Sequence, residues 1–267
     1  MPNAPDPASS FTATSFTPVR LTDGVLADLS EAILGGRLAP GAKLAAEAKL
    51  AASYGVSKQV VREAIRQLAA IGVVEIAQGR ATRVRAMDAA PLGRFWRFAV
   101  GGSAQGLAEA VELRRTIEPP IARMAADRHT AREADELRRI LAMMRAALMD
   151  IPAWISADLA FHEHLALMTH NRLLLLQVRG MAPVIREVMD RFNARAPRRP
   201  AAWKETFARH ERVAEAIIAR DGAEAEAAMG AHFAAADQAI RELFPDGGAA
   251  APQAKGKRKS GAPRQKR

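Results

Sequence analysis

The chain has 267 residues, 49% of them hydrophobic, and it carries a formal net charge of +10 without a single cysteine. The lack of cysteine excludes disulfides and thiolate metal sites, and no apolar run reaches the roughly 20 residues that span a bilayer. No secretory signal is visible, so we expect a cytoplasmic protein without a membrane partner. Residues 1–18, rich in Pro, Ser, Thr and Ala, are predicted to be a disordered lead.

Residues 19–86 are predicted to form three helices and a hairpin. The first helix covers 22–34 and is followed by a glycine-rich connector. The second helix ends at Tyr54-Gly55, because glycine readily takes the left-handed conformation that stops a helix. Ser57 is a natural N-cap for the third helix. The apolar residues of that helix recur at helical spacing and predict its buried face: Val60, Val61, Ala64, Ile65 and Leu68.

The opposite face of the third helix is basic. It carries Lys58, Gln59, Arg62 and Arg66, with only Glu63 opposing them. In the major groove Arg and Lys reach guanine, Gln pairs with adenine, and a helix N-terminus favours phosphate. The sequence therefore favours DNA recognition by this helix, the alternative being an ordinary amphipathic hairpin with a solvated basic face.

Two β-branched runs follow, at 73–77 and 82–85, on either side of a turn that contains Gly79. This pattern predicts a β-hairpin, and a hairpin directly after a helix-turn-helix is a wing. Its arginines supply charge that contacts phosphate. The residues that we predict to contact DNA are Lys43, Ser57, Lys58, Gln59, Arg62, Arg66, Gln78, Gly79, Arg80 and Arg83.

This region resembles the DNA-binding domain of the GntR family of bacterial transcription regulators. The resemblance lies in four segments, at 36–44, 50–51, 54–57 and 61–65. Lys58 stands where the family usually has Arg, and Gln59 where Thr is common. The resemblance therefore implies a winged helix-turn-helix that binds DNA, and it does not imply a particular operator sequence.

The rest of the chain is predicted to be helical. Residues 87–103 form a linker whose aromatic run at 92–100 favours a short helix packed between two domains, and residues 104–245 show almost no strand signal. A capping box at Thr130 and Glu133 starts the second of six helices, and Pro183 should kink or interrupt the fourth.

The predicted fold class follows from these elements. It is mainly α, an N-terminal winged helix-turn-helix domain plus a C-terminal antiparallel bundle of six or seven helices. Residues 246–267 are predicted to be a disordered basic tail, since the seven Lys and Arg residues after position 254 have no acid among them. We interpret this tail most simply as a solubilising or phosphate-binding extension.

Three histidines and a carboxylate lie on the apolar faces of predicted bundle helices. Asp158 and His162 are four residues apart, hence on one helix face, whereas His210 and His232 lie on two later helices. A buried ionised Asp is costly unless it is paired or metal-bound. Each histidine alone is more simply a satisfied core residue, but the set of four favours a divalent metal: zinc first, with nickel and manganese as alternatives.

The same four positions resemble the metal pattern of the FCD-type effector-binding domain in the FadR subfamily of GntR regulators. The resemblance also covers residues 112–119 and Asn171. Members bind small organic or sugar acids whose carboxylate meets the metal and a nearby Arg. Arg114, on the inner stripe of its helix, is then the expected effector anchor, and Asn171 a second effector residue. The alternatives are an internal Arg114–Glu118 ion pair and a helix cap at Asn171.

These observations predict a ligand-responsive transcription regulator, and specifically a repressor. A homodimer on a two-fold operator is expected, because one recognition helix contacts too few base pairs for useful specificity. An acid that binds one arrangement of the bundle better would weaken DNA binding. Two alternatives stay open: a sensor of the metal ion itself, and a metal-dependent hydrolase or isomerase. Against the enzyme, we expect no further inward carboxylate placed as a general base.

Overall fold

The computed structural model describes residues 18–77, 79–195 and 200–243. The chain divides into two compact units, Met1–Leu92 and Gly93–Arg267. The predicted lead before residue 18, the predicted tail 246–267 and Gln78 lie outside the described residues. Within the described ranges, every helix is too short or too polar to cross a membrane.

The first unit contains three helices and a two-stranded hairpin. The elements are α1 (Pro18–Leu34), α2 (Glu47–Tyr54), α3 (Lys58–Ala70), β1 (Val74–Glu75) and β2 (Arg83–Val84). α1 begins four residues before its predicted start, because proline is well suited to the first turn of a helix, where its missing N–H costs nothing. Gly55 ends α2 in the left-handed region at φ 64°, as predicted. Ser57 caps α3 by accepting a hydrogen bond from the backbone N–H of Val60.

One apolar core joins these helices to the hairpin. The five residues that define the predicted stripe of α3 are all buried, together with Val25 and Leu29 of α1 and Val74 and Val84 of the hairpin. Val74 pairs with Val84 across the antiparallel strands. Burial of one side of α3 directs its opposite side, the basic one, to solvent.

The second unit is built of helices alone in its described part. They are α4 (Ala90–Val100), which begins just before the division between the units, α5 (Ala104–Arg128), α6 (Ala131–Ala146), α7 (Ile151–Met168), α8 (Arg172–Arg195), α9 (Pro200–Ile218) and α10 (Gly222–Leu243). α4 corresponds to the short helix predicted at 92–100. Its Val100 packs in a core cluster with residues of α5 and α8. The mainly α fold class, with a bundle of six helices or seven counting α4, is confirmed.

The start of α6 is set by neighbouring residues, whereas α8 continues through an internal proline. Thr130 and Glu133 form both bonds of the predicted capping box at the start of α6. We predicted a kink or an interruption of α8 at Pro183. The interruption is wrong, since the helix continues from Arg172 to Arg195, and the kink stays a prediction. Met181 and Val184, on either side of Pro183, are buried in one cluster. Packing of both halves against the same core outweighs the backbone hydrogen bond that proline removes.

Candidate functional site

Three helices of the second unit bring the four predicted ligands close together. Asp158 and His162 lie one turn apart on α7, His210 lies on α9 and His232 on α10, and all four are buried. His210 Nε2 lies 3.0 Å from Asp158 Oδ1, and His162 Nε2 lies 3.9 Å from Asp158 Oδ2. One ring nitrogen from each imidazole lies within 4.8 Å of the others. We call these four residues the histidine cluster.

The donor atoms of the histidine cluster fit a divalent cation. His162 Nε2, His210 Nε2 and His232 Nδ1 are buried and have no hydrogen-bond partner in the described part of the chain. Leaving such an atom unsatisfied costs about 1–3 kcal/mol. The 3.0 Å contact between His210 and Asp158 is not aligned as a hydrogen bond. Two ligand atoms that each bind one zinc ion at about 2.1 Å stand about 3.4 Å apart in the tetrahedral geometry that zinc prefers, and the two contacts of Asp158, at 3.0 and 3.9 Å, lie on either side of that separation.

Electrostatics gives these side chains the charges that a cation requires. Burial would raise the pKa of the Asp158 carboxyl, but the contact with His210 and the charge of His162 hold it well below its usual range. Burial lowers the pKa of His162 and also lowers that of His232, where the neighbouring His210 adds to the effect. Near neutral pH the carboxylate is therefore ionised and these two imidazoles are neutral, as metal ligation demands.

Glu118 of α5 joins the cluster and was not predicted to do so. Its Oε2 lies 2.5 Å from His162 Nδ1, and both of its oxygens contact the guanidinium of Arg114. Burial would raise the pKa of Glu118, but the charges of Arg114 and His162 outweigh it and lower the pKa to about 2. The ion pair between Arg114 and Glu118, which the sequence left open as the alternative role of Arg114, is present. The expectation that no further inward carboxylate is placed as a general base stays a prediction. Helical spacing placed Glu118 on the inner stripe, but its contact with α7 is non-local and left no signal in the sequence.

Arg114 and Asn171, the two predicted effector residues, already have partners within the protein. Arg114 is buried, pairs with Glu118 one turn away, and its Cζ lies 5.3 Å from the ring centroid of Phe233, the neighbour of His232. Arg114 therefore borders the histidine cluster. The Asn171 Oδ1 accepts hydrogen bonds from two backbone N–H groups at the start of α8, at 3.0 and 3.3 Å. The effector roles of both residues stay predictions.

The other three histidines have separate local partners. The His129 Nδ1 lies 3.0 Å from the carbonyl oxygen of Ala125, one turn back on α5. The His164 Nε2 lies 2.8 Å from the carbonyl oxygen of Glu133, and the His170 Nε2 lies 3.0 Å from the Glu133 carboxylate. These contacts satisfy side chains that the sequence assigned to no site.

The predicted DNA-contacting side chains of α3 lie on its solvent face. Lys58, Gln59 and Arg66 are exposed. Arg62 is exposed as well, and its Nη2 lies 2.8 Å from a carboxylate oxygen of Glu47 on α2. This ion pair joins α2 to α3 across the turn between them.

The predicted contacts of the wing that lie among the described residues are also exposed: Gly79, Arg80 and Arg83. Arg83 donates from Nη1 to the carbonyl oxygen of Gly41 at 2.8 Å, and the backbones of Arg83 and Lys43 form a bridge. Arg80 is exposed next to Gly79, whose φ of 71° lies in the left-handed region that glycine favours. The exposed charge of this hairpin lies in the same unit as the basic face of α3.

The first unit is a winged helix-turn-helix with a basic recognition face, and the second unit is all-helical and buries a polar cluster. Together the two units define the class of protein. It is the class of DNA-binding transcription regulators that carry a separate effector-binding domain.

Comparisons with known proteins identify the family. Residues 21–84 match the family described as "Bacterial regulatory proteins, gntR family", and residues 109–235 match the FCD domain. The HTH-type transcriptional regulator YieP of Escherichia coli, itself uncharacterized, is 32% identical over 159 residues, which cover 56% of this chain and 68% of YieP. The galactonate operon transcriptional repressor of Escherichia coli is 28% identical over 235 residues, which cover 83% of this chain and 97% of that protein.

A solved structure shows the same fold. The Streptococcus agalactiae GntR structure superposes with a TM-score of 0.61 at 23% sequence identity, over 81% of this chain and 99% of that one. The chain belongs to the GntR family of bacterial transcription regulators, in the FadR-type subfamily that carries an FCD effector domain. It is a DNA-binding transcription regulator and not an enzyme.

Proposed function

We propose that this regulator is a repressor whose FCD unit binds a divalent cation, zinc in the first place, together with a small organic or sugar acid. Binding of the acid lowers the affinity of the winged-helix unit for its operator. The observation that supports the proposal most strongly is the histidine cluster, because its buried donor atoms lack hydrogen-bond partners in the described part of the chain.

Asp158, His162, His210 and His232 would hold the cation. A cation bound there supplies a Lewis-acidic positive charge that attracts a carboxylate. The neighbouring side chains exclude water, since Phe161 and Trp154 are fully buried and their rings stand edge-on to that of His210. A low local dielectric strengthens the attraction between the cation and an acid ligand.

Arg114 would contact the carboxylate of the ligand. A guanidinium has five N–H donors, and the contacts with Glu118 use Nε and Nη2, which leaves further donors for a second carboxylate. Asn171, at the start of α8, is the second proposed effector residue. The relative that represses a galactonate operon is named for a sugar acid, which supports an effector of that chemical class.

The proposed DNA complex contains two copies of the chain on a two-fold operator. Each copy would place α3 in the major groove and its wing on the adjacent backbone. The proposed DNA-binding domain covers 19–86 and the proposed effector domain 104–245. Lys58 and Gln59 would read base edges, whereas Lys43, Arg80 and Arg83 would contact phosphate.

The test uses zinc-loaded protein and DNA selected by that protein from a random duplex library. Fluorescence anisotropy would measure the dissociation constant for this DNA with galactonate, gluconate, lactate or citrate present. We expect at least one acid to raise that constant in the wild type and to lose its effect in Arg114→Met. Arg115→Met is the matched control, because Arg115 is exposed on the same helix.

Two outcomes would contradict the proposal. If no acid changed the affinity of zinc-loaded protein for DNA, effector control by a carboxylate would be wrong. If zinc released DNA without any acid, the protein would be a sensor of the metal ion itself.

A further inference from the structure

Glu118 lies between two side chains that have separate roles in the proposed function. Its side chain is 3% exposed, and its Oε2 lies 2.5 Å from His162 Nδ1. The other imidazole nitrogen, Nε2, is the one that faces Asp158 at 3.9 Å. The same carboxylate holds Arg114 through both of its oxygens. Glu118 thus contacts both His162, on the ring nitrogen that faces away from Asp158, and Arg114, the residue proposed to bind the acid.

We infer that Glu118 is a positioning residue that prepares both His162 for the cation and Arg114 for the acid. A neutral imidazole carries one N–H, so a carboxylate that accepts the Nδ1 proton leaves the Nε2 lone pair available for a metal. The 2.5 Å separation is slightly shorter than the roughly 2.7–2.9 Å of a charge-assisted N–H···O bond, so the two groups are already in contact. The ring plane is not yet aligned with the oxygen, so a rotation of the imidazole about its Cβ–Cγ bond completes the bond. This inference rests on the proposed function and deepens the same site.

The charges around the two buried carboxylates assign them different tasks. Among the described residues, the Asp158 carboxylate is in contact with the imidazoles of His162 and His210, and the charge of Arg114 acts on it only from a longer distance. Glu118, in contrast, is in direct contact with the permanently charged guanidinium of Arg114. An arginine-paired carboxylate is neutralised and has little attraction left for a cation, whereas a carboxylate surrounded by imidazoles retains its charge for one. Asp158 therefore serves as a direct ligand, and Glu118 orients a ligand from outside.

The first test measures zinc affinity by competition with a chromophoric chelator. Glu118→Gln keeps the size of the side chain and an acceptor oxygen but removes the charge. Loss of such an orienting partner typically lowers metal affinity about 10- to 100-fold, and we expect a change of that size. Glu163→Gln is the matched control and should bind zinc as the wild type does. Glu163 is the residue after His162 on α7, but it is exposed and paired with Arg179 at 2.7 Å.

The outcomes separate this inference from the function on which it rests. Equal zinc affinity in the wild type and Glu118→Gln would overturn the positioning role alone. A wild type that binds no zinc would overturn the proposed function and the positioning role with it.

A second variant and a second measurement guard against misfolding of Glu118→Gln, which leaves the buried Arg114 without its partner. The double variant Arg114→Met/Glu118→Gln removes both charges, and it should fold and show the same loss of zinc affinity. In zinc-loaded wild-type protein, nitrogen-15 spectra should show His162 protonated at Nδ1 and coordinated through Nε2. The signal is assigned by its loss in His162→Gln. Coordination through Nδ1 would overturn the inference.

Discussion

Replacing His210 by alanine should remove most of the stabilisation that zinc gives to this protein. The His210 side chain is 1% exposed, and its Nε2 stands 3.0 Å from Asp158 Oδ1. Its Nδ1 lies 2.8 Å from the carbonyl oxygen of Thr206, one turn earlier on α9, which fixes the ring with Nε2 directed into the cluster. Alanine removes one of four donors and leaves the helix itself intact.

The size of the effect follows from linkage. Zinc at 100 times its dissociation constant stabilises the native state by about 2.7 kcal/mol. At about 2–4 °C per kcal/mol for a protein of this size, the wild type should gain about 5–11 °C in Tm. If loss of the His210 side chain weakens zinc binding about 100-fold, the same zinc concentration equals the dissociation constant of the variant. Zinc then stabilises the variant by only about 0.4 kcal/mol. The expected gain in Tm is then about 1–2 °C.

The assay is thermal unfolding followed by circular dichroism, on chelator-treated protein with and without added zinc. His170→Ala is the matched control, because His170 is a histidine outside the cluster, with its side chain 48% exposed and paired with Glu133. The reasoning is refuted if His210→Ala gains as much from zinc as the wild type does, or if His170→Ala loses the gain.

Three further predictions concern DNA binding, stability and pH. Arg62→Ala should weaken DNA binding about tenfold but leave the free energy of unfolding nearly unchanged, because its ion pair with Glu47 is exposed to solvent. Anisotropy would measure the DNA affinity and urea titration the stability, and an unchanged DNA affinity would contradict the proposed contact. Thr130→Ala should lower the free energy of unfolding by about 1 kcal/mol through loss of the α6 cap, and an unchanged urea midpoint would show that the capping box contributes nothing. In metal-free protein, the free energy of unfolding should be highest above pH 6.5 and should fall as the pH drops below that value. The reason is that the pKa values of His162 and His232 in the folded protein lie below the ordinary 6.5, so the unfolded chain binds protons first. Urea titrations on either side of pH 6.5 would show the loss, and equal stability on both sides would contradict the burial of neutral imidazoles.

The sequence predicted those parts of the structure that depend on local spacing. The four-residue interval between Asp158 and His162 places them on one helix face wherever α7 packs, and the apolar stripes around His210 and His232 direct both side chains into the core. The capping box of α6 and the glycine stop of α2 depend on a few consecutive residues. Backbone chemistry at these positions allows few alternatives, so local patterns sufficed.

Contacts between residues distant in sequence were not predictable in this way. Glu118 on α5 contacts His162 on α7, and Arg62 on α3 contacts Glu47 on α2. Both contacts depend on how helices pack, which periodicity does not specify. The continuity of α8 through Pro183 has the same origin, because core packing overrode a local preference.

The position of Trp154 gives the protein an intrinsic optical reporter. Its indole is fully buried, stands edge-on to His210 with ring centroids 5.8 Å apart, and contacts the ring of Trp203 at 5.2 Å. A paramagnetic ion such as Ni²⁺ or Cu²⁺ at the cluster would quench the emission of this residue, whereas diamagnetic Zn²⁺ would change its intensity far less. Filling of the site could thus be followed in real time on unlabelled protein, with Trp154→Phe as the reference for the emission of Trp96 and Trp203.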